Sequence, residues 1–430
     1  MKDTEFPRFF RLRQRFDETR VADVPASTRD AIDGCKSDPM AKILPGHRVA
    51  IAVGSRGISD IETVVRAVVG CVRHRGGMPF IIPAMGSHGG ATADGQADVL
   101  SRYGITAESM GCEIRSSMET SVVGKTTHAV DVHVDSYAMA ADHVIIVNRI
   151  KLHTRIAGRY QSGIIKMMLI GLGKHRGAIA YHRAMARITF DGLVSQAAPM
   201  IMASCPILMG VGIVENAFDQ IATIEAIPAA NILQREPQLL EIARGHMPRL
   251  PFADADLLMI DRIGKNISGS GLDTNVVGRK SNDKAAAADE VPKVQLIYVR
   301  GLTPQTKGNA SGIGIAEFCR SELVREMDVD ITRINCLTAL HVSAAAIPVH
   351  YETDREVLRI AIDQCGRERI RDVRCLWIED TLHVAEVTCS EAYLEEAIAG
   401  GFEILSQPQT LEWKSDGNLA LPQACKPTQT

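Results

Sequence analysis

The sequence predicts an α/β protein: a larger domain on a mostly parallel, doubly wound sheet, and a second, smaller α/β domain. Three observations lead there. Short apolar runs without an alternating polar face recur along the chain, and such strands belong in sheets covered on both faces. Segments with helical apolar spacing separate them, so successive strands are joined by crossovers. The chain has 430 residues, enough for two or three cores of ordinary size.

Taken in order, His47–Gly54 (HRVAIAVG) reads as a strand and Ser59–His74 as a helix, its start marked by Ser59 and Glu62 in capping-box spacing. Gly76 and Gly77 end that helix, and Met78–Met85 (MPFIIPAM) is the next strand. A helix over Thr92–Tyr103, a strand over Asp142–Ile150 and helical periodicity from Ser162 follow. Further on come a helix ending near Ala203, a strand at Ile207–Glu215, a helix at Ala229–Arg244 and a strand at Ala255–Ile263. The charged, alanine-rich stretch Arg279–Lys293 (RKSNDKAAAADEVPK) is read as a linker, dividing a first domain, 1–278, from a second, 294–404. The second domain is predicted as strand Val294–Gly301, helices Gly314–Glu326 and Asp354–Cys365, strand Val373–Glu379 and helix Ser390–Ala399. The tail 405–430 lacks periodicity and is expected to pack back on the first domain.

Composition removes several classes of function. With 48 basic and 51 acidic side chains there is no positive surplus to neutralise a phosphate backbone, so nucleic acid is not an expected partner. The uncharged run Leu193–Val214 is long enough to span a bilayer, but Pro199, Pro206 and Gln196 break it, and a helix followed by a buried strand fits better. The first twenty residues contain no apolar signal core. Ten scattered cysteines without a CxxC pair read as reduced, buried thiols. The expectation is a soluble, cytoplasmic protein acting on a small molecule, with a homo-oligomer left open.

Histidines are unevenly distributed. Seven of the thirteen (88, 128, 133, 143, 153, 175 and 182) fall within 95 residues, and imidazole both titrates near neutrality and binds borderline metals. His128, His133 and His143 are read as ordinary surface or strand residues. His88 differs, because it lies in MGSHGGAT directly after an apolar strand, where ligands bind in a doubly wound sheet. The second candidate segment is 147–183, VNRIKLHTRIAGRYQSGIIKMMLIGLGKHRGAIAYHR. Its GLGKHRGA lacks P-loop spacing, yet a basic, glycine-bearing turn at a helix start suits an anionic ligand. Lys166 lies inside the apolar run GIIKMMLIG, either extending its amine to the surface or holding it in a low-polarity site for chemistry.

These segments, with GNASGIG at 308–314, resemble the nickel-dependent lactate racemase family. The resemblance implies a covalently tethered nickel-pincer nucleotide in the first domain. The family's tethering lysine is followed five residues on by glycine and sixteen on by histidine, and Gly171 and His182 stand at those intervals from Lys166. It implies that Lys166 is the tether and His182 the nickel ligand, with His88 and His153 as the two acid–base histidines. Arg56 matches an arginine of the cofactor and substrate pocket, and Ser87, Gly89 and Gly163 are expected beside the cofactor. The chain also departs from the family pattern. The His153–Lys166 gap is three residues longer than in lactate racemases proper, Val53 replaces an aspartate, and Gln161 stands where a subgroup has glutamate. For the substrate-binding lysine of the second domain the candidates are Lys265, Arg279 and Lys307.

The implied activity is racemisation or epimerisation of a 2-hydroxy acid, either lactate-like or a sugar acid. Taking the α-hydrogen as hydride avoids a dianion beside the carboxylate, and two histidines would serve the hydroxyl from either face. Nickel with sulfur, carbon and nitrogen donors prefers a square-planar site, in which His182 would supply the nitrogen. Two alternatives stand: a zinc-dependent hydrolase using the same histidine cluster, and a non-catalytic relative that binds a nucleotide or organic acid. The zinc reading lacks H-E-x-x-H or any close ligand pair.

Overall fold

A computed structural model of the chain describes residues 5–54 and 57–420. In chain order its strands are β1 (Phe9–Arg13), β2 (Arg48–Val53), β3 (Met78–Pro83), β4 (Thr120–Lys125), β5 (Asp131–Asp135), β6 (His143–Arg149), β7 (Ile207–Glu215) and β8 (Ile221–Pro228). Then follow β9 (Asp254–Ile263), β10 (Lys293–Leu302), β11 (Phe318–Arg320), β12 (Val349–Tyr351), β13 (Cys375–Ile378), β14 (Glu386–Ser390) and β15 (Glu403–Ile404). They form an α/β fold in two units, one holding Asp17–Met247, the other running from Pro248 onward and taking in the N-terminal segment that ends at Phe16.

The first unit is built on a five-stranded sheet in the order β3-β2-β6-β7-β8, parallel except for the antiparallel edge strand β8. Alternate residues of each central strand feed two separate cores, which is why these strands read as unbroken apolar runs. Ala50, Ala52, Ile82, Val144 and Ile146 join one core; Val49, Ile51, Val53, Ile81, Ile145 and Val147 join the other. Helices Val24–Asp33 and Ile61–His74 cover the second face. On the first face lie the turns from Ile164 to Ala184 and the helices Phe190–Ser204 and Ile232–His246. The hairpin β4–β5 packs on that face too. Among the described residues no helix is long and apolar enough to cross a membrane. The Leu193–Val214 run divides into the helix Phe190–Ser204 and the buried strand β7.

The second unit holds an eight-stranded sheet in the order β12-β11-β10-β9-β13-β14-β1-β15. Its first five strands run parallel and the last three join antiparallel.

Several expectations need correcting. The units divide at Met247/Pro248, not at 279–293. Strand β9 precedes the expected linker and β10 follows it, yet the two pair side by side, so the stretch between them is internal to the second unit. Its first residue, Arg279, is fully buried and donates to the carbonyls of Val294 and Gln295 at 2.9 Å. The described part of the tail packs on the second unit: Leu405 N donates to Arg11 O at 2.8 Å, Gln409 bridges to Phe9, and Leu419 enters the core of Phe6 and Phe9. Ser59 makes no capping box. Its hydroxyl bonds Asp219 O, Glu62 pairs with Arg66, and the helix starts at Ile61. The expected helix Gly314–Glu326 is a turn, the strand β11 and a short helix Ser321–Glu326, because the backbone of Tyr298 and Val299 claims Phe318 and Cys319 for the sheet. The expected helix Ser390–Ala399 is present as a 3-10 turn, Glu391–Tyr393, running into the helix Leu394–Ala399, with Ser390 closing strand β14 just before it. Nine cysteines among the described residues are free, and all but Cys112 are buried.

Candidate active site

Strands β2, β3 and β6 are parallel neighbours, with Val53 level with Pro83 and Val147, so their carboxyl ends open on one edge of the sheet. The chain after each end carries a candidate residue, as a doubly wound sheet would place it. After β3 the chain runs through buried Ala84–Gly86 to exposed Ser87 and half-buried His88. Gln96 fixes this turn from below by donating to Met85 O at 2.7 Å and Gly86 O at 3.1 Å. Gly86 must be glycine, since a Cβ there would lie 2.9 Å from Ala178 Cβ and 3.2 Å from Ile170 Cγ2. Gly89 has φ +63°, and a Cβ there would come within 2.4 Å of Gly95 O. The next helix follows at once, with Thr92 Oγ1 accepting from Gly95 N.

The loop after β2 contains Arg56, which lies outside the described residues. Its entry, Gly54, is pressed close: a Cβ there would sit 2.6 Å from both Asn148 Oδ1 and Met167 Cε. Asn148, near the end of β6, donates to Gly163 O at 2.9 Å. The three strand ends therefore border the segment that carries Lys166.

That segment begins at Gly163, makes a turn of helix over Ile164–Lys166, widens to a π-helical turn over Met167–Gly171 and continues as the helix Lys174–Ala184. Such π turns occur often at functional sites. The buried carboxylate of Glu236 caps its start, accepting from Ile165 N at 2.9 Å and from Ile164 N. Burial pushes Glu236 up to about 7, against the pull of those two amides. Lys166 and His182 are both half-buried. Burial, and after it the charge of Lys166, push the His182 pKa down, so these two side chains share one environment, which disfavours the imidazolium.

His153 lies in a loop closed at its neck by backbone bonds between Lys151 and Ser162 in both directions. Its own N–H donates to buried Gln161 Oε1 at 2.9 Å. Its ring Nδ1 accepts from the backbone N–H groups of Arg155 and Ile156, each at 3.0 Å. Of the histidines set aside, His133 Nδ1 bonds Thr120 Oγ1 and His143 Nε2 bonds Lys42 O.

Residues 21–189 match the lactate racemase N-terminal domain family. Over this segment the chain is similar to the lactate racemase family. The match takes in His88, His153, Gly163, Lys166 and His182. Over the longer chain, the fold is similar to the lactate racemase apoprotein of Thermoanaerobacterium thermosaccharolyticum, with a TM-score of 0.57 at 10% identity, covering 87% of this chain and 99% of that one. A Thermotoga maritima protein solved by a structural genomics consortium is similar at a TM-score of 0.48 and 12% identity, covering 75% of this chain and 81% of that one. No curated protein sequence matches.

Outside this matched segment, the second unit distinguishes the three substrate candidates. Arg279 is wholly enclosed and bonded to carbonyls and Glu317, so it offers nothing to a ligand. Lys307 is exposed on a left-handed turn. Lys265 is half-buried and donates to Asn335 Oδ1 at 2.7 Å and to Gly269 O. Sequence reasoning gave no role to Glu236, Asn148 or Gln96, which position the site, Glu236 from an element remote in sequence.

Proposed function

We propose that the chain is a 2-hydroxyacid racemase or epimerase of the cytoplasm that uses a nickel-pincer nucleotide, tethered at Lys166 with His182 as nickel ligand. The main support is the shared environment of Lys166 and His182, bordered by the strand ends that carry the His88, Arg56 and His153 loops. The residues present fit such a group. A metal ligand must offer an unprotonated lone pair, and burial and Lys166 both disfavour protonation of His182. Gly54 and Gly86 let backbone approach the lysine segment where any side chain would intrude. The helix start at Gly163 is fixed by Glu236 and Asn148, so the tether would leave a rigid element.

When bound, the metallated pyridinium supplies an electrophile for the α-hydrogen, which is removed as hydride. The chain's own residues do the rest. An imidazole of the His88 and His153 pair takes the hydroxyl proton as the α-carbon becomes planar, and proton return after re-entry on the other face completes inversion. Among the described residues, His88, His153 and His182 do not bring three metal-ligand atoms together; the one such group is Glu379, Asp380 and His383 in the other unit. The zinc hydrolase reading therefore lacks its ligand set.

The experiment is to screen chiral 2-hydroxy acids for loss of optical rotation with protein from a cofactor-producing host, then repeat the positive case with Cα-deuterated substrate. Racemised product is expected to retain its deuterium. Washout at the rate of racemisation would contradict hydride removal, because imidazolium protons exchange rapidly with water.

A further inference from the structure

We propose that two copies of this chain associate through one apolar face of the second unit, carried by residues 329–349, to form a two-fold homodimer. The dimer does not depend on the reaction proposed above.

Seventeen large apolar side chains are exposed among the described residues, and eight of them fall in this one stretch. The others are scattered singly along the sequence, which is the ordinary condition of a protein surface. The helix Val329–Thr338 shows how the face arises. It buries Thr332 and Cys336. Ile331, Ile334 and Leu337 follow at three-residue steps, a spacing that lays them along the opposite side. Ile334 is 66% exposed and Leu337 58%. Such an apolar stripe on a helix is normally the side that packs. His341 N then donates to Cys336 O at 2.9 Å, turning the chain back over the helix end, and Leu340 and Val342 are exposed beside this turn. Further on, Ile347 and Val349 line a groove of about 460 Å³ with Pro348, Phe318 and Leu296. Val349 opens β12, the edge strand of the eight-stranded sheet, and an apolar edge is ordinarily covered.

Area and charge point to a second copy as the cover. With the eight side chains exposed by roughly half, the face presents on the order of 700 Å² of apolar surface, more than the largest patch of a typical monomer and close to the ~800 Å² that each partner brings to a stable interface. The charged side chains of the helix, Asp330 and Arg333, are opposite in sign and lie 4.0 Å apart, so two copies meet without like-charge repulsion. A two-fold axis at Ile334 makes the stripe its own complement. Antiparallel helices then set Ile331 of one copy against Leu337 of the other, and Ile334 against its counterpart.

Sedimentation velocity on the full chain tests the proposal. The parent is expected to sediment as a dimer at micromolar concentration, the weak end of the range for interfaces of this size. Ile334→Asp places two carboxylates face to face at the axis and is expected to weaken association at least ~100-fold, leaving a monomer with the parent's circular dichroism. Leu337→Ser removes apolar surface without adding charge and should weaken association as well, so the result does not rest on one substitution. Ile398→Asp, the same change at an exposed isoleucine outside the face, should stay dimeric. A monomeric parent would overturn the proposal. So would a dimer that Ile334→Asp and Leu337→Ser leave intact, since another face would then hold the copies together.

Discussion

Lys166 and Lys174 lie eight residues apart in one glycine-rich, apolar segment, and the fold gives them opposite surroundings. Lys174 is fully enclosed, its ammonium 3.1 Å from the equally buried carboxylate of Asp135 and 3.2 Å from Gln96 Oε1, with Pro83 O as a third partner. Lys166 stays half-buried beside His182. The first lysine ties the start of a helix to strand β5 and to the end of β3; the second is presented where the strand ends open. A buried lysine is thus not by itself a chemical lysine. What separates them is the degree of burial: Asp135 offsets much of the cost of wholly enclosing Lys174, whose pKa burial pushes down and Asp135 pulls back up.

The difference can be broken directly. Lys174→Met leaves the Asp135 carboxylate enclosed without its cation and is expected to cost about 3–5 kcal/mol in urea unfolding. Lys166→Met should cost less than about 1 kcal/mol while abolishing racemisation. Similar losses for the two variants would mean that Lys166 too is structural.

A smaller effect is expected where the lysine segment begins. Glu236 has a folded pKa of about 7 against an ordinary value of 4.5, so the folded state holds the extra proton. Its contribution to stability is complete below pH 4.5 and is lost as pH rises to about 7, by up to ~3 kcal/mol. Glu236→Gln removes the titrating group, so its stability should fall less across that window than the parent's. Parallel curves for parent and variant would place the Glu236 titration elsewhere.

Much of the first unit was legible in the sequence because its signals are local. The apolar runs of β2, β3, β6 and β7 needed only both-face burial, and the His88 loop followed from glycines after a strand. The unit boundary was not legible: composition marked 279–293 as loose, whereas pairing between β9 and β10 folds that stretch inside one unit. Strand β1 was also missed, since it becomes a strand only by meeting β14, more than 370 residues on. Of the site, intervals within 147–183 singled out Lys166, but nothing local distinguishes it from Lys174, whose partner comes from the β4–β5 hairpin. Glu236 likewise reads as one charge on a surface helix until packing sets it against Ile164 and Ile165.

The central claim is that Lys166, and not Lys174, is the chemically used lysine. Peptide mass spectrometry of protein purified from a host that makes the pincer nucleotide tests this most directly. A nucleotide-sized adduct on the peptide containing Lys166, with Lys174 unmodified, is the predicted result. Fully active protein with an unmodified Lys166 would contradict it.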